Sequence, residues 1–370
     1  MGVDLFQRTR PDAELHPQFI TLRDSPWHEP ARGLLRELQV QFTDTDGNFV
    51  EQFQTNGFDA RTFELYLFGF LKDGGHTVDR SNPSPDFMIT KADMTAAVEA
   101  VTANPPPANE VQPYAAHDKE EPPLGIEKLY DDIAIRMGSP LFSKLQKRYW
   151  ELPHVANRPL VIAIQDFHRA GSLMNSSTPL AQYLYGLTHH WYHDQDGKLI
   201  ISAKAADAHR IGAKEIPSGF FNQPLAENVS AVLFTNAGTI PKFNRLGHEG
   251  RYRSGQVRML RYGSCYRHDP NSDMPRAFLY EVGAHDKDPE TWGEGAVLMH
   301  NPRALHPLPT GWFGAPLEER LEEGQIVSRF AEPFLPFMSM TMNFPGDTPT
   351  DVMQEVVDDL IAKLRELMPD

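Results

Sequence analysis

Residues 62–104, TFELYLFGFLKDGGHTVDRSNPSPDFMITKADMTAAVEAVTAN, decide the reading of this chain. They predict a helix carrying Glu64, followed by a hairpin-rich sheet. Phe63, Leu65, Leu67, Phe68, Phe70 and Leu71 make the helix apolar almost all round, so it should be buried on several sides. Asp59 suits the N-cap, and Gly74-Gly75 suit the stop. A short strand at 76–79 precedes SNPSP, a rigid loop because each proline restricts itself and the residue before it. Segments 86–90 and 96–103 then pair as a hairpin. Asp86 opens the first in PDF. Glu99 lies inside the second, in AVEAVTA, where a lone charge among apolar residues is costly. Three acids on three successive elements can hold a divalent metal beside a phosphodiester.

Downstream, 104–123 (NPPPANEVQPYAAHDKEEPP) is proline-rich and polar and reads as a mobile loop. From 125 to 150 the apolar residues Ile126, Leu129, Ile133, Met137, Leu141, Leu145 and Tyr149 fall at helical spacing, with a break at 138–140 dividing the segment in two. PLVIAIQDF (159–167) is a continuous apolar run, the mark of a strand buried on both faces. A helical crossover delivers it, so it should lie parallel to a neighbour. Upstream, prolines 11, 17, 26 and 30 suggest an irregular arm over 1–33. Further on, 180–191 looks helical, 198–202, 228–238, 277–282 and 294–300 look extended, and 351–367 carries an apolar helical stripe behind Thr350 as N-cap.

Composition sets the outer limits. The chain has 370 residues and 40% hydrophobic content, enough for a large packed α/β body. Its one cysteine, Cys265, excludes an internal disulfide framework and a Cys-rich zinc module, and fits a cytoplasmic protein. No apolar run is long enough to span a bilayer, so no membrane partner is expected. The net charge of −15 argues against a protein that merely coats nucleic acid, while leaving room for a local basic cleft. Basic residues do cluster, at 136–169 and again at 242–267.

Glu64 in the first helix, Pro85-Asp86 and Glu99, in the order helix–strand–strand–strand–helix–strand over 58–168, resemble the PD-(D/E)XK nuclease superfamily. The resemblance implies a restriction endonuclease-like α/β core: a mixed central sheet flanked by helices. Residues 1–57 would form an arm and lead-in, and 169–370 a large C-terminal α+β elaboration packed on the core. Val101 stands where that family usually has the lysine of E-x-K. Lys144 and Lys147, in SPLFSKLQKRYW, are positioned to supply it from the following helix. The resemblance further implies Mg²⁺ or Mn²⁺ held by Asp86, Glu99 and the carbonyl of Ala100, with Glu64 in support and a lysine orienting the attacking water. Gln165 would be a polar neighbour. The substrate would be nucleic acid, DNA in the first instance, with Lys242, Arg245, Arg251, Arg253 and Arg258 on backbone phosphates. A homodimer is compatible with this scheme. The missing E-x-K lysine and the acidic charge also fit a catalytically inactive nucleic-acid- or protein-binding module on the same fold.

Other constellations are weaker. His189 and His193 would make an i, i+4 zinc pair if helical, though no glutamate completes an HExxH pattern. His285, His300 and His306 are scattered, and Cys265 reads as a small buried residue. The chain carries no GxSxG, P-loop or GxGxxG string, which leaves serine hydrolysis and nucleotide-driven chemistry without support.

Overall fold

A computed structural model describes residues 4–45, 47–105, 126–169, 171–285 and 287–367. The segment read as an irregular arm is helical instead. Helix α1 (Pro17–Asp24) lies within it and α2 (Glu29–Gln41) begins in it, with α3 (Phe49–Gln54) following beyond it. Pro17 and Pro30 sit in first turns, where the lost N–H has no intrahelical partner, so these prolines mark helix starts. Helix α4 (Phe58–Asp73) has Phe63 to Leu71 buried without interruption. It starts one residue before Asp59, which therefore lies in its first turn and does not cap it. Gly75 takes φ +80° and lets the His76 N–H return to the Leu71 carbonyl, closing the helix.

Strands β1 (Thr77–Asp79), β2 (Phe87–Lys91) and β3 (Met94–Ala103) form an antiparallel meander. The expected loop over 104–123 lies outside the described residues from 106 onward. Helix α5 (Ile126–Leu145) then crosses to β4 (Leu160–Asp166), which pairs parallel with β3 and is buried along its whole length. The break expected at 138–140 does not divide α5, which runs on with Pro140 inside it. Gly138 serves packing: a Cβ there would come within 2.8 Å of the Tyr183 ring.

Helix α6 (Thr178–Tyr185) stops at Gly186, with φ +71°. The chain then becomes extended as β5 (Leu187–His193), so the helix expected over 180–191 ends halfway. Strands β5 and β6 (Leu199–Ala205) form one hairpin, and β7 (Ala208–Ile211) and β8 (Lys214–Pro217) another. Strand β9 (Ala231–Thr235) returns parallel to β4 and leads into α7 (Ile240–Glu249). Strands β10 (Val257–Cys265) and β11 (Arg276–Glu281) precede β12 (Ala296–His300), β13 (Leu317–Glu322), β14 (Gln325–Phe330), β15 (Pro336–Pro345) and α8 (Thr350–Leu367).

The main sheet has eight strands in the order β1-β2-β3-β4-β9-β12-β13-β14, and β11-β10-β15 form a separate three-stranded sheet. Four strands from beyond residue 169 thus continue the sheet itself; they do not merely pack on a finished core. Side chains alternate across it. Val161, Ala163, Ala231 and Leu233 join α2, α3, α4 and Phe243 of α7 in one apolar core, while Leu160, Ile162, Ile164, Val232 and Phe234 join α5 and α6 in the other.

Candidate active site

Asp86 and Glu99 face each other across β2 and β3, one step beyond the Phe87–Val98 pair. The Asp86 N–H donates to Glu99 Oε2 at 3.2 Å, and Asp86 Oδ2 accepts the Ala100 N–H at 2.7 Å. Glu99 lies on the α5 face of the sheet with Ala97 and is buried. From that side the Lys144 ammonium of α5 pairs with Glu99 Oε1, and the Tyr149 hydroxyl donates to the same oxygen at 2.7 Å. Burial and the Glu99 charge push the Tyr149 phenol up, so it stays a donor.

Glu64, expected as the third acid, reaches the same region from α4 but is already matched. Arg61 meets it at 2.6 Å and Arg80 at 3.5 Å. Burial raises its proton affinity, and the two guanidiniums only partly oppose that. Arg80 is itself held between the rings of Phe42 and Phe87, 3.7 Å and 4.9 Å from their centroids. Among the described residues, Asp86 has no cation of its own. Burial first, then the Glu99 and Glu64 charges, push its carboxyl up to about 7, against the smaller pull of Lys144. The three acids therefore share one electrostatic neighbourhood. Among the described residues, however, no group of three or more His, Cys, Asp or Glu side chains is arranged to hold a metal ion.

Of the two candidate lysines, only Lys144 comes in; Lys147 is exposed in the turn after α5. Gln165 plays a different part from the one expected. It donates to the Gly238 carbonyl and accepts the Gly238 N–H, clamping the loop after β9.

Lys242, Arg245 and Arg258 of the basic stretch are engaged in ion pairs within the protein. Lys242 and Arg245 point inward, both onto Glu290. Arg258 is tied to Glu281 by two bonds, at 2.7 and 2.9 Å. Only Arg251 and Arg253 of the five remain exposed. The zinc pair also fails: His189 and His193 lie on strand β5, where four residues span roughly 13 Å. His193 instead meets the Asn271 carbonyl. Cys265 is buried as read.

Sequence reasoning missed Tyr149, which it placed in the apolar stripe of α5, together with Arg61 and Arg80. An arginine three residues before a buried glutamate on one helix is a usable signal for Arg61. Nothing local marks Arg80, whose approach depends on the β1–β2 loop. No protein-family model, no curated protein and no solved structure matches this chain.

Proposed function

We propose that this protein is a metal-dependent phosphodiester hydrolase acting on nucleic acid, DNA in the first instance, built on a restriction endonuclease-like core. The observation that carries the reading is the lysine. Val101 stands at the E-x-K position, and the ammonium that reaches Glu99 comes from α5, the crossover helix. The surrounding topology supports it: an antiparallel meander β1-β2-β3 with β4 added parallel after that helix.

The donor chemistry suits a hard divalent cation. Mg²⁺ keeps most of its waters and needs only one or two carboxylates, so Asp86 and Glu99 suffice without Glu64. Asp86, raised and without a cation partner, is the group such an ion would relieve. When bound, the ion would supply charge neutralisation at the phosphoryl oxygens and a more acidic water. Lys144, a quarter exposed, would release Glu99 and turn its ammonium toward the phosphate or the attacking water. Tyr149 would keep Glu99 oriented while that happens.

The test is cleavage of single- and double-stranded DNA and of RNA with Mg²⁺ or Mn²⁺. Wild type should cut; Asp86→Asn and Lys144→Met should each lose about a hundredfold or more. Activity untouched by both substitutions sinks the assignment. One observation favours a second reading, an inactive binding module. Glu64 is answered by Arg61 and Arg80, and Glu99 by Lys144, pairings that need no metal. Calorimetry separates the two: absence of Mg²⁺ and Mn²⁺ binding heat, with nucleic-acid or protein binding retained, selects the module.

A further inference from the structure

The β7–β8 hairpin and α5 bring together an acid, an imidazole and a hydroxyl. His209 lies on β7 opposite Ile216 of β8, and Ser218 follows β8 directly. A residue two beyond the cross-strand partner is the diagonal neighbour on the same face, so His209 and Ser218 share a face of the hairpin. Helix α5 packs against β7 and supplies Asp131. The His209 ring meets Asp131 Oδ1 through Nδ1 at 2.8 Å and Ser218 Oγ through Nε2 at 2.9 Å. A carboxylate only accepts, so Nδ1 carries the ring proton and donates it. In the neutral imidazole Nε2 is then the acceptor, and the Ser218 O–H donates to it.

This is the arrangement that turns a serine hydroxyl into a nucleophile: a base on its proton, and a third group orienting the base. The His209 side chain is 4% exposed, and the Tyr183 ring meets it in a T-shaped contact with centroids 5.8 Å apart. Ser218 is only half-buried and follows the exposed Pro217, so a reactant can approach it from solvent. Gly219 takes φ +77° and turns the chain sharply after Ser218. Its N–H is committed to the Tyr183 carbonyl and does not serve an oxyanion. The Asn222 side chain offers another donor. Its Nδ2 lies against Gly219, 3.0 Å from where a Cβ there would stand, and has no partner among the described residues. Side-chain amides serve as oxyanion donors in acyl transfer. No GxSxG string announces the set, because its members meet only through strand pairing and the packing of α5. Such triads recur on unrelated folds in different chain orders.

We propose that Asp131, His209 and Ser218 form a serine acyl-transfer centre that hydrolyses carboxylic esters. Ser218 Oγ attacks the ester carbonyl carbon as its proton passes to His209 Nε2. The displaced carbonyl electron pair forms an oxyanion that the Asn222 amide meets. Collapse breaks the bond to the leaving alcohol, which takes the proton from Nε2 and leaves the acyl group on Oγ. Water repeats the sequence, releasing the carboxylic acid and restoring Ser218. Ser218 and His209 are catalytic residues in this scheme, and Asp131 is a positioning residue. The inference goes beyond the phosphodiesterase reading and does not rest on it. Asp131 and Lys144 lie toward opposite ends of α5, roughly 20 Å apart along its axis.

The test treats the full chain with a fluorophosphonate and with p-nitrophenyl acetate. Mass spectrometry should place the phosphonyl adduct on Ser218. Ester turnover should vanish in Ser218→Ala and fall about a hundredfold or more in His209→Gln. Asn222→Ala, at an exposed position, should lower kcat roughly a hundredfold with KM little changed. Asp131→Asn should cost about a hundredfold, and Asp131→Glu should recover part of that loss. Hydrogen bonds that merely staple the hairpin to α5 would move the unfolding midpoint on substitution without yielding an acylated serine. Absence of an adduct on Ser218 overturns the inference. So does labelling indifferent to His209→Gln, or ester turnover that survives Ser218→Ala. Should Ser218→Ala fail to fold, wild-type labelling and Asn222→Ala decide in its place. Asp86→Asn should lose phosphodiester cleavage and label at the wild-type rate, which keeps the two proposals separate; loss of labelling there would also overturn the inference.

Discussion

Replacing Asp86 by asparagine should make the protein more stable at pH 8 than wild type, and progressively less so toward pH 5. The folded carboxyl holds its proton up to about 7, against an ordinary value of 3.8. The folded state therefore binds that proton more tightly than the unfolded state does. The associated stability is complete below about pH 4 and is lost as pH rises through about 7. At about 1.4 kcal/mol per tenfold change in proton affinity, the ceiling is roughly 4 kcal/mol. Asp86 is only partly buried, so solvent screening brings the figure down to about 1–2 kcal/mol.

Asparagine cannot ionise, and its carbonyl can still accept the Ala100 N–H that now goes to Oδ2. The variant thus keeps the bond and drops the repulsion. The assay is urea unfolding of both proteins at pH 5, 6, 7 and 8 in low salt, read as the difference between them. Groups remote from the site that titrate in this window are common to both and cancel. A difference that stays flat within about 0.3 kcal/mol, or that turns against the variant as pH rises, refutes the account of Asp86 as an acid held in the field of Glu99 and Glu64. Repeating the series with Mg²⁺ adds the functional arm: the ion should stabilise wild type above pH 7 and leave Asp86→Asn unmoved.

Other substitutions probe the frame around the site. Gly238→Ala would set a Cβ 2.4 Å from Gln165 Oε1 and 2.9 Å from the Phe63 ring, so chemical denaturation should show a loss of about 2–3 kcal/mol. Glu290→Gln removes the anion shared by Lys242, Arg245 and Arg261 in a sealed interior, and should lower stability by about 3–5 kcal/mol in the same measurement. Glu319, on β13, has a buried Oε2 without a partner among the described residues, and burial pushes its carboxyl up to about 7. Its contribution too is lost as pH rises from about 4.5 through 7, so Glu319→Gln should match wild type at pH 5 and exceed it by about 2 kcal/mol at pH 8 in thermal unfolding. Equal behaviour of the two at both pH values would place an unseen cation partner beside Glu319.

The central elements were legible because their signals are local. An all-round apolar helix, a Gly-Gly stop and the apolar run LVIAI each imply their own place, and α4, β2, β3 and β4 lie where those signals put them. The N-terminal helices were missed because proline was read as a breaker, although at the first turn it is a starter. The end of α6 was missed because LTHHWYH has no helix-breaking residue inside it; Gly186, just before it, makes the switch by adopting a left-handed backbone. The basic stretch misled for a different reason. Charge density along the chain does not say which way the side chains face, and on α7 Lys242 and Arg245 face Glu290, a residue 45 or more positions away.

That contrast also distinguishes two ionic clusters within one molecule. At Glu290 the carboxylate is sealed. Burial alone would raise it, but Arg245, Arg261 and Lys242 together outweigh burial and hold it far below the usual carboxylate range. Every charge there is committed, and the cluster's product is a fixed geometry between α7 and the second sheet. At Asp86 the balance runs the other way. The cations answer Glu64 and Glu99 and leave Asp86 raised, partly exposed and next to a lysine that solvent already reaches. A cluster kept only for rigidity gains nothing from leaving one acid unpaired at its open edge. A cluster that must accept a cation or pass a proton needs such a vacancy, and that asymmetry, more than the count of acids, is what recommends β2 and β3 as the working part of the fold.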